Sequence, residues 1–292
     1  MKNAIKFFFL TVFILFFSLS SSITAQQQEP APVKASQVKG NIYEVKGGRG
    51  ANAGFFIGEK KVLVIDAKMT EESAKQMIAE IKKLTSNPIK YVILTHSDGD
   101  HVNGLVGFPA DVIIAAHHQT AKDMDAAFKD AKLRSYLPDF TFSKKLKLHF
   151  GDKTVKLFHF GPAHTSGDVV VYFPEEKVAF IGDLLFLGRD PLIHRHKNGN
   201  SFGLVKTLKS ILKLDADTFI HGHGSIASPG DLEGMIKSLE EKQTKIKALI
   251  KEGKSLEEIK KIFNVEDPPP RPGRSRRPGL VETIYLELTE KK

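Results

Sequence analysis

Seven residues of the kinds that bind metal ions in proteins lie in four short segments of this chain. They are His96, Asp98, Asp100, His101, His164, Asp183 and His223. The first four fall within six residues, directly after an apolar stretch at residues 91–94, and the others lie in turns that contain glycine. These imidazoles and carboxylates suffice for two divalent ions with positions left open for water and substrate. The set therefore predicts hydrolytic chemistry.

The spacing within the first segment favours two neighbouring metal subsites. His96 and Asp98 are two residues apart, so on an extended backbone their side chains point the same way. Gly99 permits a tight turn, after which Asp100 and His101 can serve an adjacent position. The alternative is that these are ordinary polar residues at the start of a helix. Three further ligand-bearing turns downstream make that alternative the weaker one.

The combined pattern resembles the metallo-β-lactamase-fold hydrolases, whose first motif is His-x-His-x-Asp-His, over about residues 40–226. The resemblance implies an α/β protein, a four-layer αβ/βα sandwich with the metals at its edge. It implies a first ion on His96, Asp98 and His164, a second on Asp100, His101 and His223, and a shared Asp183. We assign the catalytic role to Asp100. Around Ile114-Ala-Ala-His117 and Gly161-Pro-Ala-His164 the chain looks most like exported, quinoprotein-associated hydrolases.

Four further residues are candidates for a supporting role. Asp66, at the end of the predicted strand 62–66, resembles the family's early aspartate that supports the metal loop. His221 stands where related sequences usually have proline, and it is expected to support the site or to be a simple turn residue. His194 and His196 follow a Gly-Arg-Asp-Pro loop close to Asp183, and they are candidates for facing the substrate.

Asp98 departs from the family pattern, which usually has histidine at this position. Two divalent ions, a bridging hydroxide, Asp100 and Asp183 sum to about +1, and Asp98 lowers that sum to about zero. A more neutral centre predicts a weaker Lewis acid and a less acidic bound water. Zinc remains the expected metal, with iron or manganese as alternatives because carboxylates favour harder ions. The alternative for Asp98 is that it turns to solvent and leaves the first ion weakly bound.

Strands and helices are predicted in an order that positions these turns. A buried strand at 62–66 precedes a helix that Thr70 caps and that runs to Leu84. Another helix is predicted at 119–131, and glycines at 47–54 indicate a hairpin or mobile flap. The second half reads as strands 146–150, 155–160, 169–173 and 178–182. Helices 202–212, 231–251, 256–263 and 282–288 and strand 218–220 follow.

The N-terminal residues indicate export. Two lysines precede an almost purely apolar run at 7–17, and small residues lead to Ala25, so residues 1–25 read as a cleaved signal peptide. Residues 26–37 are predicted to be a linker, 38–263 the metallo-β-lactamase-fold domain, and 264–292 a Pro/Arg-rich tail with a short helix. The protein is expected to be periplasmic or secreted, without a stable membrane anchor. A retained anchor is the alternative.

The predicted partner is a small-molecule substrate. The net charge of +9 comes mainly from dispersed lysines, and nucleic acid is not expected to bind an exported chain of this kind. We expect a metal-activated water to attack a lactam, lactone or thioester carbonyl. The alternatives are a di-iron redox protein and a metal-dependent small-molecule binding module. The sequence makes no prediction of the oligomeric state.

Overall fold

The computed structural model describes residues 29–151, 153–266 and 276–290. Two sheets form the centre of the molecule, one of seven strands and one of five. Within the described ranges, no helix is both long enough and apolar enough to cross a membrane. The predicted signal peptide lies outside the described residues.

The seven-stranded sheet is formed by the first half of the chain, in sequence order. Its strands are β1 (Lys34–Lys39), β2 (Ile42–Lys46), β3 (Ala53–Ile57), β4 (Val62–Ile65), β5 (Ile89–Ile93), β6 (Ile113–His117) and β7 (Phe140–Phe142). The helices of this half are α1 (Glu71–Leu84), α2 (Gly99–Val102), α3 (His118–Ala127) and α4 (Ala131–Arg134). Strands β4 to β7 run parallel, so the segments that follow them emerge at one edge.

The five-stranded sheet belongs to the second half of the chain and has the order β12-β11-β10-β9-β8. Its strands are β8 (Lys145–Phe150), β9 (Lys153–Phe158), β10 (Val170–Phe173), β11 (Val178–Phe180) and β12 (Thr218–Ile220). The helices are α5 (Ser201–Ile211), α6 (Pro229–Lys251), α7 (Leu256–Ile262) and α8 (Leu280–Thr289). Strands β9 and β11 both run antiparallel to β10, and β12 runs parallel to β11. The ends of β9, β11 and β12 therefore share one edge.

Three apolar layers hold four layers of secondary structure together. The first packs α1 and α3 on the seven-stranded sheet, through residues such as Met77 and Met124. The second lies between the sheets and includes Phe56 and Phe173. The third packs α5, α6 and α8 on the five-stranded sheet, with Ile284 of α8 fully buried. The predicted four-layer αβ/βα sandwich is confirmed.

Three predicted boundaries differ from the structure. The predicted linker 26–37 overlaps β1, which begins at Lys34 and pairs with β2. The helix predicted at 119–131 is two helices, because α3 ends at Ala127 and Asp130 caps a new helix, α4. The tail helix α8 is part of the third apolar layer, so it belongs to the folded body.

Candidate metal centre

The strands of both sheets deliver the seven predicted ligands to one edge. His96 and Asp98 follow β5, and the short helix α2 carries Asp100 and His101. The other three ligands follow strands of the second sheet: His164 after β9, Asp183 after β11 and His223 after β12. The structure therefore brings together all seven side chains that the sequence singled out.

His96, Asp98 and His164 form the first subsite, with one ligand-type atom from each within 4.8 Å of the others. Asp98 Oδ2 lies 3.3 Å from His164 Nε2 and 3.8 Å from His96 Nε2. Asp98 does not turn to solvent, since its side chain is only 13% exposed. This is the same trio that the family resemblance implied for the first ion.

Asp100, His101 and His223 form the second subsite by the same distance measure. Asp100 Oδ2 lies 3.2 Å from His223 Nε2 and 3.9 Å from His101 Nε2. Asp100 and His223 are partly exposed, whereas His101 is fully buried. The second subsite is therefore the more open of the two.

Asp183 lies between the two subsites. Its Oδ1 is 3.2 Å from His101 Nε2, and its Oδ2 is 3.2 Å from His223 Nε2 and 4.0 Å from His164 Nε2. Gly222 permits this position, because a Cβ there would lie 2.0 Å from Asp183 Oδ1. A carboxylate so placed can contact ions in both subsites.

Three of the four imidazoles are oriented by hydrogen bonds at Nδ1. Asp66, which follows β4 in a left-handed conformation (φ 60°), accepts from His101 Nδ1 at 2.8 Å. It also accepts from the Thr95 hydroxyl at 2.7 Å, whose oxygen lies 3.0 Å from His96 Nδ1. His164 Nδ1 donates to the Leu192 carbonyl at 2.7 Å. Such bonds fix the tautomer that leaves Nε2 free to bind a cation.

The donor set fits divalent ions. In the described part of the chain, His96 Nε2, His101 Nε2 and Asp183 Oδ1 are buried without a hydrogen-bond partner. Buried polar atoms are normally satisfied, so such atoms converging on one point require an explanation. Imidazole nitrogens and carboxylate oxygens are ligands for zinc and for harder divalent ions. A cation in each subsite would satisfy these atoms.

The protonation of the metal-free centre follows from burial and from the carboxylates. Burial, together with the neighbouring His101, holds the pKa of His96 well below its usual range. Burial also opposes charge on His101, but Asp183 and Asp66 outweigh it and raise its pKa well above the usual range. Hydrogen bonds to Asp100 and Asp183 raise the pKa of His223 to about 9. The Nε2 protons of His101 and His223 must leave when a metal binds.

Asp98 has two partners that the sequence analysis did not anticipate. Lys197 Nζ lies 2.7 Å from Asp98 Oδ1, and His194 Nε2 lies 2.7 Å from Asp98 Oδ2. Burial raises the pKa of Asp98, but hydrogen bonds from His164 and His194 outweigh it and hold the pKa well below the usual range. Lys197 also changes the predicted charge sum, because its positive charge offsets that of Asp98.

The two histidines predicted to face the substrate have different positions. His194 is only 2% exposed, and its Nε2 lies 2.7 Å from Asp98 Oδ2, so the contact that the structure shows for it is with a metal ligand. His196 is exposed, and its ring lies edge-on to that of His194 with centroids 5.0 Å apart. Only His196 remains available to contact a bound molecule.

The glycine-rich loop at 47–52 connects the two halves of the centre. Ala51 N donates to Asp100 O at 3.2 Å, and Asn52 N donates to Gly222 O at 2.7 Å. The Asn52 side-chain amide also donates to the His221 and Gly224 carbonyls, at 3.1 and 2.9 Å. These bonds tie the loop predicted as a flap to both ligand turns. The buried His221 contributes its carbonyl to this bracing.

Lys68 and Asp168 are two buried charged residues that support the ligand loops. Lys68 donates to the carbonyl of Ala51, and burial lowers its pKa to about 8. Asp168 accepts from Thr165 N and from its hydroxyl, which closes the turn after His164. Burial raises the pKa of Asp168 to about 6. The Thr-Ser-Gly-Asp run after His164 was the one sequence signal for this turn, whereas Lys68 had none.

Comparison with known proteins agrees with this geometry. A sequence profile described as the metallo-beta-lactamase superfamily matches residues 47–223, which is more than half of the chain. The chain belongs to the metallo-beta-lactamase superfamily. The matched region contains the six residues of the two subsites and Asp183.

Two relatives of this chain carry specific descriptions. A metallo-beta-lactamase type 2 from Elizabethkingia meningoseptica is 30% identical over 176 residues, covering 58% of this chain and 68% of that protein. A 2,4-dinitroanisole O-demethylase subunit alpha from Nocardioides sp. (strain JS1661) is 24% identical over 208 residues, covering 70% of this chain and 61% of that one. The match thus spans just over two thirds of the first relative and less than two thirds of the second.

A solved structure supports the fold. A metallo-beta-lactamase from Pontibacter korlensis superposes with a TM-score of 0.62 at 18% identity, covering 71% of this chain and 99% of that one. At this identity the likeness concerns the arrangement of strands and helices. The superfamily and the grouped His and Asp side chains together support a metal-dependent hydrolase.

Proposed function

We propose that this protein is an exported hydrolase that uses two divalent ions, zinc first among them, to cleave a carbonyl substrate such as a lactam, lactone or thioester. The observation that carries the proposal is the pair of three-residue subsites joined by Asp183 at one edge of the sandwich. When bound, the ions supply an activated water and polarise the carbonyl oxygen.

Different residues of the centre would have different roles in hydrolysis. Asp183 and the imidazoles fix the reacting groups, since each Nδ1 that is held by a partner prevents ring rotation. Asp100 is partly exposed, and the carboxylate oxygen that does not face His223 would accept the proton that leaves the attacking water. The water oxygen forms the new bond to the carbonyl carbon, the bond to the leaving group breaks, and Asp100 returns its proton to that group.

Apolar side chains beside the second subsite favour a substrate with an apolar part. The Phe186 ring stacks on His223 with centroids 5.9 Å apart, and Arg189 lies over the same ring. Leu187 follows Phe186 and is exposed, as are Met69, beside the glycine-rich loop at 47–52, and Ile226, beyond His223. Large exposed apolar side chains near a site are typical of ligand-binding surfaces.

Purified protein and a substrate panel test the proposal. Metal content is measured per chain, and the zinc, manganese and iron forms are assayed with lactam, lactone, thioester and phosphoester substrates of short and long apolar chains. We expect close to two ions per chain and metal-dependent cleavage of the lactam, lactone or thioester substrates. A protein that binds no divalent ion, or that binds ions and turns over none of these substrates, contradicts the hydrolase proposal.

A further inference from the structure

The environment of Asp98 is built by a lysine that lies 99 positions further along the chain. Lys197 Nζ is 2.7 Å from Asp98 Oδ1, and it also lies 3.0 Å from Ser97 Oγ and 3.2 Å from the Ser97 carbonyl. Both members of the pair are largely buried, with 19% of the lysine side chain and 13% of the aspartate side chain exposed. Lys197 therefore touches the metal loop at three atoms.

Backbone hydrogen bonds fix Lys197 against the His164 turn. His194 N donates to His164 O at 2.8 Å, and Lys197 N donates to His194 O at 2.9 Å. Ser166 N in turn donates to Lys197 O at 2.9 Å. The loop then reverses through Asn198, which has a left-handed conformation (φ 53°). The position of the ammonium group is thus set by the same turn that presents His164.

The two oxygens of Asp98 have separate surroundings. Oδ1 contacts the ammonium group, whereas Oδ2 faces His164 and His96 of the first subsite and also lies 2.7 Å from His194 Nε2. An ammonium in contact with a partly buried carboxylate offsets its charge far more than a solvated lysine would. The pair Asp98–Lys197 therefore places an oxygen ligand in the first subsite while its own net charge is about zero.

We propose that Lys197 is a positioning residue of the first subsite. It holds Asp98 and cancels its charge, so that this centre has the same net charge as a centre with histidine at position 98. This inference rests on the proposed metal function. It explains how a carboxylate can replace an imidazole without making the centre neutral. It also predicts that residues 98 and 197 are coupled, so that a change at one must be matched at the other.

The coupling has a definite sign. Asp98→His alone removes the carboxylate partner of the largely buried ammonium and raises the net charge beside the cation site by one. We expect the affinity of the first subsite for zinc to fall by about 10- to 100-fold, as it does when a supporting partner of a metal ligand is lost. Lys197→Met in that background removes the excess charge and should return the affinity to within about threefold of the parent.

A double-mutant cycle tests this on the full mature chain. Zinc affinity of the parent, Asp98→His, Lys197→Met and the double variant is measured by competition with a chromophoric chelator, alongside zinc content per chain. Lys197→Arg keeps the charge and should bind zinc like the parent. Lys206→Met removes an exposed lysine of α5 and controls for a general loss of positive charge. Circular dichroism melting of each metal-free variant verifies that it is folded.

The cycle distinguishes the inference from the function on which it rests. If Lys197→Met changes zinc affinity by the same factor in both backgrounds, or fails to rescue Asp98→His, the two residues act independently and the inference is wrong. A merely structural lysine would lower melting temperature in all backgrounds without a selective rescue of zinc binding. A parent protein that binds no zinc, manganese or iron would instead overturn the proposed function itself.

Discussion

Single residues of the centre depend on partners that hold them in one protonation state. Asp66 accepts hydrogen bonds from Thr95 N, from the Thr95 hydroxyl and from His101 Nδ1. The hydroxyl extends this network to His96, so one carboxylate orients an imidazole of each subsite. The network is buried, and buried polar networks are strong when every member is satisfied.

Asp66→Asn should disturb this network while preserving its volume. An amide NH₂ in place of Oδ2 would oppose the Nδ1–H of His101 and favour the tautomer that protonates Nε2. We expect zinc affinity of the second subsite to fall by about 10- to 100-fold. Chelator competition measures the change, and Asp125→Asn, at an exposed position in α3, is the control. Unchanged zinc affinity in the Asp66 variant would show that its charge and hydrogen bonds do not orient the ligand.

Asp183→Ala should release both ions, because Asp183 is the carboxylate that reaches both subsites. Asp100→Ala is the matched comparison, since Asp100 belongs to the second subsite alone and its loss should leave one ion in place. Metal analysis after dialysis gives the stoichiometry of each variant. Retention of two ions and full turnover by Asp183→Ala would mean that this residue is only structural.

The two sheets also meet through a pair of histidines outside the ligand set. His117 ends β6 and caps α3, where its Nδ1 accepts from Gln119 N. Its ring stacks on His159, which follows β9 of the other sheet, with centroids 3.8 Å apart and planes 19° apart. Two imidazoles in face-to-face contact repel each other when both are protonated. The stack therefore links the two sheets most strongly when both rings are neutral.

His117 should make the stability of the protein sensitive to acid. Burial, with His159 and His118 beside it, lowers the pKa of His117 to about 4. A histidine whose pKa is depressed by folding contributes stability above its unfolded pKa of about 6.5, and that contribution is lost as pH falls toward 4. The loss should be roughly 1–3 kcal/mol after allowance for solvent screening.

Urea unfolding of the metal-free protein between pH 7 and pH 4 measures this loss. His117→Gln should flatten the dependence over that window, whereas His149→Gln, at an exposed position on β8, should leave it unchanged. Identical pH dependence in the parent and in His117→Gln would show that the stack is not the acid-sensitive element.

At the scale of the whole molecule, the C-terminal helix completes the third apolar layer. Val281 and Ile284 of α8 are at most 1% exposed among residues of α5 and α6. Glu287 accepts from Ser201 N at 2.8 Å, at the first residue of α5. The helix thus stabilises the element that follows the Lys197 loop. Residues near the end of the chain therefore contribute to the support of the centre.

Ile284→Ala should destabilise the fold by roughly 2–5 kcal/mol, because it leaves a cavity in this layer. The control is Glu290→Ala, which removes a surface ion pair with Arg195 and should lower the melting temperature far less, because solvent screens such pairs. Thermal melting of the metal-free variants measures both effects. Equal melting temperatures for Ile284→Ala and the parent would mean that α8 is not integral to the folded body.

Export remains a prediction from the sequence, since residues 1–25 lie outside the described part of the chain. Cleavage after Ala25 should give a mature protein that begins at Gln26, because an apolar run followed by small residues is the signal that the processing peptidase recognises. Intact mass of the protein recovered from the periplasm or medium measures the cleavage site. Full-length protein retained in the membrane fraction would contradict it.

The sequence by itself determined the types and the order of the ligands and most of the elements that carry them. Apolar periodicity and caps predicted the strand at β4 and the helix from Thr70 to Leu84, which the structure reproduces. Local patterns were sufficient here because hydrogen bonding within an element and its turn residues act over a few positions. The helix boundary at Ala127 was missed because Asp130 begins a new cap within the same apolar pattern.

Tertiary structure alone decided which charges lie beside the centre. Lys197 reaches Asp98 across 99 positions, and His194 reaches it across 96, so neither contact leaves a periodic or spacing signal in the sequence. A charge sum over the ligands therefore omitted the lysine that offsets one of them. The ligands can be identified from the residues of a motif. The electrostatic field at the metal depends on how far each charged side chain lies from it in the folded protein.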